Sequence, residues 1–186
     1  MPFRRFANPE TNLFPKIEQR FRDEGVLTPI DLWTILKWKA NRAASRQLAR
    51  LTSEGATFSN QAGAISAALS KADEPQGRLA VLIRDFGFRL ATASAVLTVL
   101  NPKEFTIYDF RVCDEILRAG KGDFTKLKYH RYTSRLWSNY TAFKDAAIAS
   151  APAGLSLREV DHYLWGKSWA RAESDKLGLP FDEGGV

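Results

Sequence analysis

One cysteine in a chain of 186 residues narrows the chemistry at the outset. Cys113 has no second thiol to pair with, so an intramolecular disulfide is impossible and a thiolate metal cluster cannot be assembled. The only two histidines, His130 and His162, have no partner at metal-ligand spacing, so no metal site is expected. No run approaches the roughly 20 apolar residues of a membrane span. The N-terminal stretch Met1-Pro2-Phe3-Arg4-Arg5-Phe6-Ala7-Asn8-Pro9 carries charge but lacks an apolar core of signal-peptide length. A soluble, cytoplasmic protein in a reducing setting, with no membrane partner, is the expectation. Strand pattern is scarce as well. Thr106-Ile107-Tyr108 is the one β-like segment and is too short to build a sheet, and neither an internal repeat nor a low-complexity linker is visible.

Positive charge is present in excess, and its distribution is more informative than its sum. Lys and Arg outnumber Asp and Glu by 27 to 21, a net of +6. From Glu173 onward four acids, Glu173, Asp175, Asp182 and Glu183, face one base, Lys176. That makes an acidic tail over 173–186 and concentrates basic charge in residues 1–172. Lys37, Lys39, Arg42, Arg46 and Arg50 form an acid-free run, and the spacing from Lys39 puts four of them along one side of a helix. A second basic stretch holds Lys126, Lys128, His130, Arg131 and Arg135. Stacked like charges repel, a cost tolerated more readily when a polyanion screens them. A solvated helix face is the plainer reading of either stretch.

Apolar periodicity and end signals predict helices throughout. Phe14, Ile17 and Phe21 share a face that Gly25 ends, and Thr28-Pro29-Ile30-Asp31 opens a helix carrying Leu32, Ile35 and Leu36. Asn60 to Leu69 is alanine-rich, and Glu74 to Asp85 presents Leu79, Leu82, Ile83 and Phe86 inward. Ala91 to Leu100 is apolar nearly all round, which places it at the centre of the fold, and Asn101-Pro102 ends it. A helix from Asp109 to Ala119 is followed by what the pattern makes the longest, Thr133 to Ser150. The capping box Ser156-Leu157-Arg158-Glu159 then starts a helix expected to bury Val160, Tyr163, Leu164 and Trp165. After Ala172 no helical period is visible, and an extended tail is expected. The fold class is therefore all-α, an orthogonal multi-helix bundle forming one domain of two helical lobes with a cleft between them.

Within that frame, Gly87-Phe88-Arg89-Leu90-Ala91-Thr92-Ala93-Ser94 is a glycine turn opening onto a helix N-terminus, an arrangement that aims backbone N–H groups at an anion and suits phosphate. Asp109 follows in Phe105-Thr106-Ile107-Tyr108-Asp109-Phe110-Arg111-Val112, between apolar runs. The stretch resembles the helix-hairpin-helix DNA glycosylase superfamily, HhH-GPD. Phe86 to Ala93 falls on that family's hairpin motif, within a hairpin spanning about 76–100, and Tyr108 to Val112 on the segment, here 105–112, that carries its catalytic aspartate. Two residues depart from the pattern: Arg89 replaces the second hairpin glycine, and Ala91 stands where bifunctional members have their Schiff-base lysine. The motif-bearing part covers about residues 84–118.

The resemblance implies a monofunctional enzyme without lyase activity that hydrolyses an N-glycosidic bond in base excision, with Asp109 as catalytic carboxylate and no cofactor. An iron–sulfur cluster, found in some relatives, is excluded by the single cysteine. DNA contacts are expected from Gly87, Arg89, Thr92, Lys39, Arg42 and Arg46, sequence-independent and directed at duplex phosphates by a monomer. Base extrusion needs aromatic walls, for which Trp38, surrounded by bases, and Tyr108, next to Asp109, are the candidates. Asp109 also has a purely structural reading as a helix N-cap, and a cap would fix the carboxylate in place. The alternatives are a non-catalytic nucleic-acid-binding module of the same fold and a protein-interaction domain.

Overall fold

The structure, a computed structural model, describes residues 6–127 and 131–181, with the side chains of 41, 42 and 54 outside that description. The expected contributions of Arg42, Lys128 and His130, and the last residues of the acidic tail, lie outside the described residues. Among the described residues the chain is all-helical and contains no strand. Its α-helices are α1 (Pro9–Asn12), α2 (Phe14–Glu24), α3 (Pro29–Leu51), α4 (Phe58–Lys71), α5 (Pro75–Ala80), α6 (Leu90–Leu100), α7 (Phe110–Arg118), α8 (Ser134–Ala149) and α9 (Leu157–Leu177).

The helix starts follow their local chemistry. Thr28, Thr57, Thr133 and Ser156 each accept a backbone N–H three residues on, and Thr28 and Ser156 complete capping boxes with Asp31 and Glu159. Two expectations are corrected. Among the described residues the longest unbroken helix is α9, with 21 residues, and not α8, which has 16. α9 continues past Ala172 to Leu177, where Gly178 takes a left-handed conformation at φ 65°. The charged run Glu173-Ser174-Asp175-Lys176 lacks an apolar stripe, but its residues can complete helical hydrogen bonds begun upstream, and propagation costs far less than nucleation.

One core cluster runs through the bundle, from Phe14, Ile17 and Phe21 of α2 to Val160 and Leu164 of α9. α6 lies at its centre, against α2, α3 and α5, with nine of its eleven residues buried. Between α5 and α6 the chain passes through a π-turn over Val81–Asp85, closed by the Phe86 N–H on the Val81 carbonyl. It then turns at Gly87, φ 63°, which non-glycine residues adopt only at a cost. Phe88, fully buried, anchors that turn, and its N–H reaches the Leu82 carbonyl at 2.9 Å.

The segment 105–108 forms neither helix nor strand, and side chains supply partners for its backbone. The Tyr140 hydroxyl accepts from the Thr106 N–H at 3.1 Å and donates to the Thr106 carbonyl at 2.7 Å. Ser94 Oγ accepts from the Tyr108 N–H at 3.0 Å. These buried bonds satisfy backbone groups that would otherwise be orphaned, and they fix the approach to Asp109.

Candidate functional site

Asp109 is the N-cap of α7, with Oδ1 accepting the Arg111 N–H at 3.1 Å. Its other oxygen, Oδ2, lies 2.5 Å from Lys39 Nζ, an ion pair that joins residues 70 positions apart in sequence. The two side chains are only 15% and 13% exposed. Both carboxylate oxygens are thus held, one by a backbone amide and one by an ammonium.

Lys39 reaches this position because α3 is not one straight helix. Ala40 has φ −157° and ψ 73°, a kink between two helical stretches. The single basic stripe expected from Lys39 to Arg50 is therefore broken at its first member. Lys39 turns to Asp109, while Arg46 and Arg50 stay with the second stretch.

The pair lies in a cavity of about 360 Å³ lined by Glu10, Trp38, Lys39, Ile107, Asp109, Arg158, Asp161, His162 and Trp165. The size is that of a small-ligand site. α9 supplies Arg158, Asp161, His162 and Trp165 from one helical face, and Arg158 bridges two acids, with Asp161 as a close partner and Glu10 at 2.9 Å. Glu10 also accepts from the Trp38 indole N–H at 2.8 Å and faces His162 Nε2 at 2.9 Å. Burial works against charge on Glu10, but Arg158 and His162 outweigh it and lower its pKa. Burial pushes Asp161 up to about 6, with Asp109 adding to the rise and Arg158, Lys39 and His162 opposing it.

The aromatic candidates part company here. Trp38 lines the cavity, half-buried, with the Arg158 guanidinium 5.1 Å from its ring and Phe14 edge-on at 4.9 Å. Tyr108 instead turns into the core, packs edge-on against Phe143 and donates to the Phe124 carbonyl at 2.7 Å. Trp165 and Tyr163, expected to be buried, are 41% and 40% exposed. Trp165 takes the place at the cavity wall that Tyr108 does not.

No family model, curated protein or solved structure matches this chain.

The glycine turn builds a second, smaller concavity of about 130 Å³, where Arg46, Gln47 and Arg50 of α3 meet Arg89 and Thr92 at the start of α6. Arg50 crosses so near Gly87 that a Cβ there would sit 2.7 Å from its guanidinium. No carboxylate pairs with Arg46, Arg50 or Arg89 among the described residues. Gln47 is 8% exposed and its amide nitrogen is buried without a partner. Among the expected DNA contacts, Gly87, Arg89, Thr92 and Arg46 therefore come together, and Lys39 stands apart at the cavity.

Sequence reasoning missed Glu10, Arg158, Asp161, His162 and Trp165. One signal was available. Arg158, Asp161, His162 and Trp165 follow one another at i, i+3, i+4 and i+7, an inward-facing spacing filled with polar side chains where a core stripe would be apolar.

Proposed function

We propose that this chain is a DNA-binding, base-excision glycosylase-like enzyme in which Asp109 supports hydrolysis of an N-glycosidic bond. The carrying observation is Asp109 itself, immobilised by the Arg111 amide and Lys39 at the wall of a cavity with indole sides. In the reaction the C1′–N bond breaks with its electron pair going to the base, and positive charge develops on the sugar. A fixed carboxylate stabilises that charge without reorganising at the moment of reaction. Water then adds to C1′ and gives up its proton to the Asp109 carboxylate, and the base takes one up. Lys39 is a positioning residue, and Trp38 and Trp165 bound the space for an extruded base. Arg46, Arg50 and Arg89 supply phosphate contacts around the turn at Gly87, where the free N–H groups of α6 add to them.

Duplexes carrying uracil, alkylated purines, oxidised guanine or modified pyrimidines, each treated with the protein and then hot alkali, test the reading. Strand breaks that disappear with Asp109→Asn support it. Release that persists in the variant removes Asp109 from the chemistry. One observation favours the non-catalytic binding module instead: Lys39 already compensates the Asp109 charge that catalysis needs. That reading predicts salt-sensitive duplex binding and no abasic product from any substrate.

A further inference from the structure

Next to Asp109 the chain exposes what a small soluble domain usually hides. Phe110, the first residue of α7, is 65% exposed, whereas Val112, Cys113 and Ile116 of the same helix are fully buried. The Arg111 guanidinium sits 5.2 Å from the Phe110 ring and 5.3 Å from the Trp165 ring, joining the two into one patch beside the cavity that Trp165 lines. No carboxylate pairs with the Arg111 guanidinium among the described residues. A flat aromatic face beside an uncompensated guanidinium offers the two contacts a nucleotide needs, a surface for its base and a charge for its phosphate.

We propose that Phe110 and Trp165, joined by Arg111, form a stacking platform for an unpaired nucleobase, so that the protein engages DNA at unpaired or extruded nucleotides in preference to intact duplex. The proposal rests on the nucleic-acid reading above but not on Asp109 chemistry. Intact duplex presents phosphates to Arg46, Arg50 and Arg89 while keeping its bases stacked on one another. An unpaired base has a free face, and aromatic side chains bind such faces with little regard to sequence.

The full chain, titrated by fluorescence anisotropy with a matched duplex and with the same duplex carrying one bulged thymine, tests this. The expected result is tighter binding of the bulged duplex by about 5- to 150-fold, the worth of one base–aromatic stack. Phe110→Ala should abolish the preference while leaving matched-duplex affinity unchanged. Leu117→Ala removes a 48% exposed side chain of the same helix and should alter neither affinity. Equal binding of the two duplexes, or a preference that survives Phe110→Ala, overturns the platform alone. A gel-filtration dimer that Phe110→Ala splits also overturns it, because the patch is then an interface between copies. Absence of binding to any duplex at low salt overturns the nucleic-acid reading and the platform with it.

Discussion

Asp109→Asn separates the two things Asp109 does. Asn and Asp cap helices about equally well, so the bond to the Arg111 amide survives and α7 keeps its start. What is lost is the counter-charge of Lys39, whose side chain is only 13% exposed and 2.5 Å from the missing charge. Breaking a buried pair costs about 3–5 kcal/mol and an exposed one about 0–1. The slight solvent access here puts the loss at about 2–3 kcal/mol. In urea, with a slope near 2 kcal/mol per molar, the unfolding midpoint should fall by about 1–1.5 M. Lys39→Met alone should cost a similar amount, and the double variant should lose much less than the sum, because no lone charge is then left in the cavity. Additive losses, or a midpoint shift under about 0.3 M for Asp109→Asn, would refute the claim that the pair is buried and coupled.

Other consequences follow from the same geometry. Tyr140→Phe removes the one hydroxyl that partners both the N–H and the carbonyl of Thr106 and should destabilise the fold by about 2–4 kcal/mol, read by thermal or urea unfolding, since two buried groups go unsatisfied. Asp161 should make stability pH-dependent. Its pKa rises from 3.8 to about 6 on folding, so the folded state holds the proton more tightly and this group's contribution is lost as pH rises through that window. Wild-type stability should therefore fall relative to Asp161→Asn between pH 3.8 and about 6, and parallel curves would contradict the burial argument. Arg50→Gln with Arg89→Gln should reduce the slope of log affinity against log salt by about 2, weakening all duplexes alike. An unchanged slope would remove this concavity from the DNA contact.

The helices were legible in the sequence because their causes are local. Thr28, Thr133 and Ser156 cap within three residues of themselves, and the unbroken apolar surface of α6 announces its central place. The cap role of Asp109 was legible for the same reason. Its ion partner was not, because Lys39 arrives through a kink at Ala40 that no proline or glycine marks. Counting charges along an ideal helix put Lys39 with Arg46 and Arg50, whereas the kink sends it to the opposite purpose. Glu10 lies 152 residues from His162, beyond any local pattern, and only the tertiary fold brings the two side chains together. Tyr108 illustrates the reverse error. Nearness to Asp109 in sequence suggested the cavity, but the tyrosine packs against Phe143 in the core, while Ile107 and Asp109 on either side of it line the cavity.

Base release is the direct test of Asp109. Under single-turnover conditions, with enzyme in excess over lesion-bearing duplex and free base detected by mass spectrometry, the wild-type chain should liberate the base from at least one lesion. Asp109→Asn, still folded and still binding the duplex, should liberate none. Binding without release by the wild-type chain from every lesion tested, or release that Asp109→Asn leaves untouched, would contradict the assignment of Asp109 as the group that cleaves the glycosidic bond.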